Sequence, residues 1–78
     1  MDVSKLQKHF CQNVIEILEE KGWTRAALAK RMDVDQSYVS RYLNGNVSPG
    51  LDVIERFAKA LKYDSLDLLR EPEHAAAE

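Results

Sequence analysis

A chain of 78 residues that is 45% apolar and 31% charged, with three glycines and two prolines, has the balance of one soluble globular domain. That balance excludes a disordered, collagenous or membrane-embedded protein: the longest aliphatic run, Ala26–Ala29, is far short of the ~20 apolar residues a span needs. Met1–Lys5 lacks the basic-then-apolar layout of a secretory signal, and the single Cys11 cannot form an internal disulfide, so a cytoplasmic location is expected.

The net charge of −2 and a pI near 5.6 run against the basic character usual in nucleic-acid binders. The total hides an uneven distribution. Residues 1–21 carry three basic and four acidic groups, and residues 47–78 carry four and seven. Residues 22–46 hold Arg25, Lys30, Arg31 and Arg41 against Asp33 and Asp35, the one net-positive stretch, at +2. An anionic partner is expected there.

In chain order, the first helix is expected from Ser4, where Gln7 three residues on completes a capping-box pattern. Leu6, Phe10, Val14, Ile17 and Leu18 recur at helical spacing, and Cys11 and Ile15 widen the stripe. Lys21 and Gly22 close it, a cation against the helix dipole followed by a residue suited to a left-handed cap. Thr24 is the natural N-cap of a second helix, Arg25 to Met32, with Trp23 and Leu28 at the spacing of a hydrophobic staple. The device returns eleven residues on: Asp35 caps a third helix ending at Leu43, with Val34 and Val39 as its staple. Only Asp33 and Val34 separate these two helices, so they must cross steeply and share one small core.

Asn44-Gly45-Asn46 breaks the chain, Asn and Gly both tolerating positive φ. Ser48-Pro49-Gly50 opens a fourth helix, with Ser48 and Gly50 both eligible as its cap and Leu51, Ile54, Phe57, Ala58 and Leu61 as its stripe. A short fifth helix runs from Asp64 or Ser65 to about Arg70, limited by Pro72. Glu71–Glu78 is polar and alanine-rich without a packing pattern, which divides the chain into a domain over 1–70 and a flexible tail or linker over 71–78.

The third helix carries the chemistry. Leu28, Val34 and Val39 can lock it to the second helix, and the small Ala29 lets the backbones approach. Its outer face is then Gln36, Ser37, Tyr38, Ser40 and Arg41: an amide, hydroxyls and a guanidinium, groups that hydrogen-bond base edges in a major groove about 12 Å wide. At this point the sequence resembles the lambda-repressor-like (Cro/repressor, XRE-type) helix-turn-helix family, from about Phe10 to Leu69. The resemblance rests on Lys21-Gly22-Trp23-Thr24, Leu28-Ala29, Val34, Gln36 through Tyr42, Asn44-Gly45, Pro49, and Ile54 through Leu61.

The resemblance implies an all-α, compact five-helix bundle whose third helix enters the major groove, and symmetric dimers on paired half-sites. Carried over by position, it makes Gln36, Ser37 and Arg41 base readers, with Tyr38 and Ser40 as adjacent candidates for a thymine methyl or a phosphate. Thr24 and Arg25 at the start of the second helix, and Asn44 and Asn46 after the third, become phosphate contacts that set register. Leu66, Leu68 and Leu69, more than a small core needs, are candidates for the dimer contact. Three departures stand out: Asp33 replaces the usual turn glycine, Lys62 replaces another, and Leu18 and Leu43 stand where an arginine and a glutamate often pair. Both partners of that pair are exchanged together, which implies an apolar contact in place of an ion pair.

The function expected is that of a sequence-specific, double-stranded DNA-binding transcriptional regulator, a dimeric repressor reading operator half-sites with residues 36–43. The alternative is an antitoxin-like or other protein-interaction module of the same fold, for which the third helix should present an apolar face. Some features read as plain structure: Lys30 and Arg31 as solvated surface, Trp23 and Tyr42 as packing, Cys11 as a half-buried filler. His9 and His74 lack ligands at metal spacing, and no nucleophile–base or phosphate-cradling glycine pattern occurs. No enzyme activity, metal, cofactor, small-molecule ligand or membrane partner is therefore expected.

Overall fold

The computed structural model describes residues 3–72, with side chains from residue 5 onward. These residues form five helices: α1 (Val3–Lys21), α2 (Arg25–Met32), α3 (Gln36–Leu43), α4 (Leu51–Leu61) and α5 (Ser65–Leu69). α2 packs on α3 and α4, while α5 bridges α1 and α4 and α1 reaches α3, so every helix touches one shared core.

What stops the first four helices is one recurring device. After each, a residue with positive φ donates its N–H to the carbonyl three residues back, and the next N–H donates to the carbonyl five residues back. Gly22 donates to Glu19 (3.2 Å) and Trp23 to Leu18 (2.9 Å); Asp33 to Lys30 (3.2 Å) and Val34 to Ala29 (3.0 Å). Gly45 donates to Tyr42 (3.2 Å) and Asn46 to Arg41 (3.2 Å); Lys62 to Lys59 (3.3 Å) and Tyr63 to Ala58 (2.9 Å). Glycine holds the left-handed position at Gly22 (φ 69°) and Gly45 (φ 80°), but Asp33 (φ 59°) and Lys62 (φ 63°) adopt it too. The turn between α2 and α3 therefore forms at Asp33 as the sequence leads one to expect. Asn44 itself stays right-handed (φ −83°), and Gly45 alone makes that turn.

At the N-termini, the Thr24 hydroxyl oxygen accepts from Ala27 N–H at 3.1 Å. Asp35 occupies the cap position of α3 without a side-chain hydrogen bond, and Gly50 rather than Ser48 caps α4. Asp64 precedes α5, its N–H donating to the Asp67 carboxylate at 3.3 Å. The Ser4 side chain lies outside the described residues. Gln7, its expected partner, spends its amide elsewhere: Nε2 donates to Gly45 O at 3.1 Å and Oε1 accepts from Ser48 Oγ at 3.0 Å.

Phe10, Val14, Leu28, Val39, Phe57, Leu61 and Leu68 are fully buried, each worth about 1.5–3 kcal/mol against exposure. Leu18 and Leu43 are buried in the same core, where a charged pair would have needed desolvation. Phe57 meets Phe10 edge-on at 5.1 Å, and the rings of Tyr38 (6.3 Å) and Tyr42 (6.1 Å) close over it from α3. This aromatic group fixes α3 against α1 and α4.

Two leucines lie where the stripe pattern does not put them. Leu51, expected in the core, is 78% exposed: it sits roughly 70° from the centre of the α4 stripe and on its first turn. Leu68, offered above as a dimer contact, is wholly buried and belongs to the monomer core, because α5 packs against both α1 and α4. Pro72, at the head of the expected tail, is buried; residues 73–78 lie outside the described residues.

Candidate nucleic-acid interface

Burial divides α3 into three strips. Val39 and Leu43 face inward, while Tyr38, Ser40 and Tyr42 lie half-buried along the edges. Gln36, Ser37 and Arg41 are exposed, with Asn44 beyond them. At ~100° per residue, Ser37 and Arg41 define the centre line of the outer face. Ser37 and Arg41 thus share one free face bordered by Ser40, and Gln36 is exposed at the first turn of α3, about 120° around the helix from that line. Tyr38 turns aside: its ring contacts Tyr42 at 5.1 Å, stacks toward Phe57, and lies beneath the Arg56 guanidinium at 5.8 Å. It sits immediately before the buried Val39, and the apolar ring follows the core.

The residues expected at phosphates converge although nineteen positions separate two of them. Arg25 Nη1 donates to Asn44 Oδ1 at 2.9 Å, joining the start of α2 to the end of α3. A guanidinium can only donate, so the Asn44 amide must turn its NH₂ away, toward solvent. That leaves the remaining N–H groups of Arg25 and the Asn44 NH₂ as donors side by side. Thr24 is exposed at the same helix end, its oxygen engaged by Ala27, and Asn46 is exposed in the following loop.

From behind, α1 braces this loop through the two Gln7 hydrogen bonds to Gly45 and Ser48. Cys11 adds a third tie, its Sγ–H donating to Tyr42 O at 3.1 Å. Burial pushes the Cys11 thiol above its ordinary pKa, with the nearby charge of Arg25 opposing, so the sulfur keeps its proton and remains a donor. Beside these ties opens a cleft of about 420 Å³ that brings Lys8 and Gln12 of α1 next to Asn44. Sequence reasoning missed this contribution of α1: the partners of Gln7 lie 38 and 41 residues away, beyond any local pattern.

A helix-turn-helix family model matches residues 14–68 of the chain. This protein belongs to the lambda-repressor-like, XRE-type helix-turn-helix family. Among solved structures it is similar to a hypothetical transcription factor, NHTF, from Neisseria, at 27% identity and a TM-score of 0.83 over 99% of this chain and 88% of that one. No curated protein sequence matches it. The helix-turn-helix unit is α2, the Asp33-Val34 turn and α3, and the family makes the protein a DNA-binding transcriptional regulator.

Away from the helix-turn-helix unit, Leu66 is 70% exposed and Leu69 half-buried, so of the three leucines suggested for a dimer contact Leu66 alone projects freely. His9 Nδ1–H donates to Leu69 O at 3.1 Å and serves α1–α5 packing; His74 lies outside the described residues. Among the described residues no three His, Cys, Asp or Glu side chains gather to hold a metal, and no helix is long and apolar enough to cross a membrane.

Proposed function

We propose that this regulator binds double-stranded DNA sequence-specifically, as a cytoplasmic homodimer that represses by occupying an operator. Residues 1–70 form the binding domain and 71–78 a tail or linker that begins beside the buried Pro72. Each α3 lies in the major groove. Gln36 pairs with adenine through its amide, Arg41 with guanine O6 and N7, and Ser37 hydrogen-bonds between them. Ser40 and the Tyr38 hydroxyl reach the groove edge. Thr24, Arg25, Asn44 and Asn46 hold phosphates and set register.

One observation carries this reading: Gln36, Ser37 and Arg41 of α3 are exposed polar groups, and Ser37 and Arg41 form a face beside the Arg25–Asn44 donor pair. A protein-docking helix would present apolar groups there instead. Nothing in this face calls for a cofactor, a small-molecule ligand or a catalytic step. Fluorescence anisotropy on duplex DNA at several salt concentrations tests it. Log affinity must fall linearly with log salt, and selection from random duplexes must return a defined, two-fold-related site. Salt-independent binding, or selection returning no preferred sequence, refutes the proposal.

A further inference from the structure

The outer face of α3 has two flanks. On one lies Asn44 with Arg25. On the other, roughly 120° around the helix from Asn44 and across the Ser37–Arg41 line, lies Tyr38. Over the Tyr38 ring, 5.8 Å from its centre, sits the guanidinium of Arg56 from α4. Arg56 also lines a cleft of about 430 Å³ with Arg31, Lys59, Met32 and Ala60.

This cleft gathers three exposed cations on an apolar floor. Asp52 and Glu55 stand a helical turn from Arg56 and Lys59, and Asp35 follows Arg31 by four residues across the α2–α3 turn. Yet among the described residues no carboxylate lies within ion-pair distance of any of the three. Two are held by aromatic faces, Arg56 by Tyr38 and Arg31 by Trp23 at 4.0 Å. A cation–π contact restrains the guanidinium over the ring, and with no carboxylate in reach its N–H groups can meet a bidentate oxyanion. Tyr38 is fixed in turn by Phe57 and Tyr42.

We propose that Arg56, positioned by Tyr38, binds a backbone phosphate of the DNA strand opposite the one held by Arg25 and Asn44. Arg31 and Lys59 raise the local positive potential that draws that strand in. The proposal rests on the DNA-binding reading above. A helix in the major groove has a sugar-phosphate backbone on each side, about 12 Å apart, and a contact on one side alone leaves the helix free to roll. A second cation on the Tyr38 flank closes a two-sided clamp and fixes the angle at which Gln36 and Arg41 meet the bases. In this arrangement the Tyr38 ring supports Arg56 as its first task.

The test compares wild type, Arg56→Gln, Arg56→Lys and Lys62→Gln on a random-sequence duplex and on a duplex recovered by selection. A phosphate contact contributes about 0.9 to the slope of log affinity against log salt. Arg56→Gln should lower the slope by about that amount per protomer. Arg56→Lys should restore most of it, and Lys62→Gln, removing an equal charge just after the end of α4, should leave it alone. Single methylphosphonate substitutions then locate the contact. Neutralising the phosphate held by Arg56 should weaken wild type about as much as Arg56→Gln does, and weaken that variant no further. The corresponding phosphate for Arg25→Ala should lie on the other strand. An unchanged slope in Arg56→Gln with normal binding by wild type overturns this proposal and leaves the DNA-binding reading intact, as does coupling of both arginines to one strand. A loss as large in Lys62→Gln also overturns it, since net charge would then be the cause. Failure of wild type to bind any duplex overturns the underlying reading instead.

Discussion

The four left-handed helix ends make a matched set in which backbone strain can be weighed almost alone. Lys62 ends α4 at φ 63°, a conformation that brings its Cβ against the following carbonyl and costs roughly 1–2 kcal/mol in a residue with a side chain. Replacing it by glycine removes that cost but adds about 0.4–1 kcal/mol of chain entropy to the unfolded state. The difference predicts that Lys62→Gly stabilises the protein by about 0.5–1 kcal/mol. For a domain this small, that is a rise in Tm of roughly 2–8 °C. The mirror experiment is Gly22→Ala, where an added Cβ meets nothing within 4 Å, so no clash clouds the result. It should lower stability by a similar amount.

Asp33→Gly should gain less than Lys62→Gly, because aspartate is among the residues that enter the left-handed region most readily. Lys62→Gln keeps the side-chain bulk and removes the charge, and should change stability little. Thermal and urea unfolding of the four variants, read by circular dichroism, checks the set. If Lys62→Gly melts no higher than wild type, or Lys62→Gln accounts for the whole gain, the strain argument fails.

The other predictions concern the interface, the thiol and the assembly. Arg41→Ala should cost about 1–3 kcal/mol of specific affinity and relax preference at one base pair per half-site, read by selection from random duplexes. Arg25→Ala should weaken all duplexes about equally and reduce the salt slope by about one, as expected of the phosphate contact proposed for it. For Cys11, a thiol whose pKa is raised on folding contributes stability that is present below the ordinary thiol pKa and lost as pH rises through the raised value. Wild type should therefore lose more stability than Cys11→Ala on going from neutral to strongly alkaline pH, as followed by urea unfolding at each pH. Leu66→Asp should shift the protein toward monomer in sedimentation while its circular dichroism stays that of the folded chain, because the side chain is 70% exposed there.

The parts of the fold legible in the sequence are those dictated by near neighbours. The limits of α2 and α3, the Thr24 cap, and the left-handed turns at Gly22 and Asp33 follow from chemistry within five residues. The misplaced residues share the opposite property. Leu51 and Leu68 both fit an apolar helical pattern, and what separates an exposed from a buried leucine is whether a distant element covers it. Nothing around Leu51 in the sequence shows that the first turn of α4 stays bare, and nothing around Leu68 shows that α5 lies between α1 and α4. In the interface, exposure of Ser37 and Arg41 follows from the period of α3 alone, whereas Gln36 lies beside the buried stripe and is exposed because it opens the helix. The turning of Tyr38 toward Phe57 depends on a residue nineteen positions on.

The charge distribution explains how an acidic chain can belong to a DNA-binding family. Long-range attraction scales with net charge, and at −2 the molecule has little to offer at distances beyond the ~8 Å screening length of physiological salt. Short of that distance the local arrangement decides. Arg25 and Arg41 lie on α2 and α3 within the net-positive stretch, Arg25 half-buried and Arg41 exposed, while Glu19 and Glu20 are exposed at the C-terminal end of α1. A duplex approaching α3 meets the cations within screening range; one approaching the end of α1 meets carboxylates. Such a distribution gives up encounter rate and favours orientation, since productive docking is attractive on one face and repulsive on another. The expected consequence is kinetic. Raising salt should slow association less steeply than it does for a uniformly basic domain, while dissociation quickens as the short-range phosphate contacts are screened. Stopped-flow measurement of both rates across a salt series tests this, and a salt dependence carried mainly by the association rate would show that the distant charges govern binding after all.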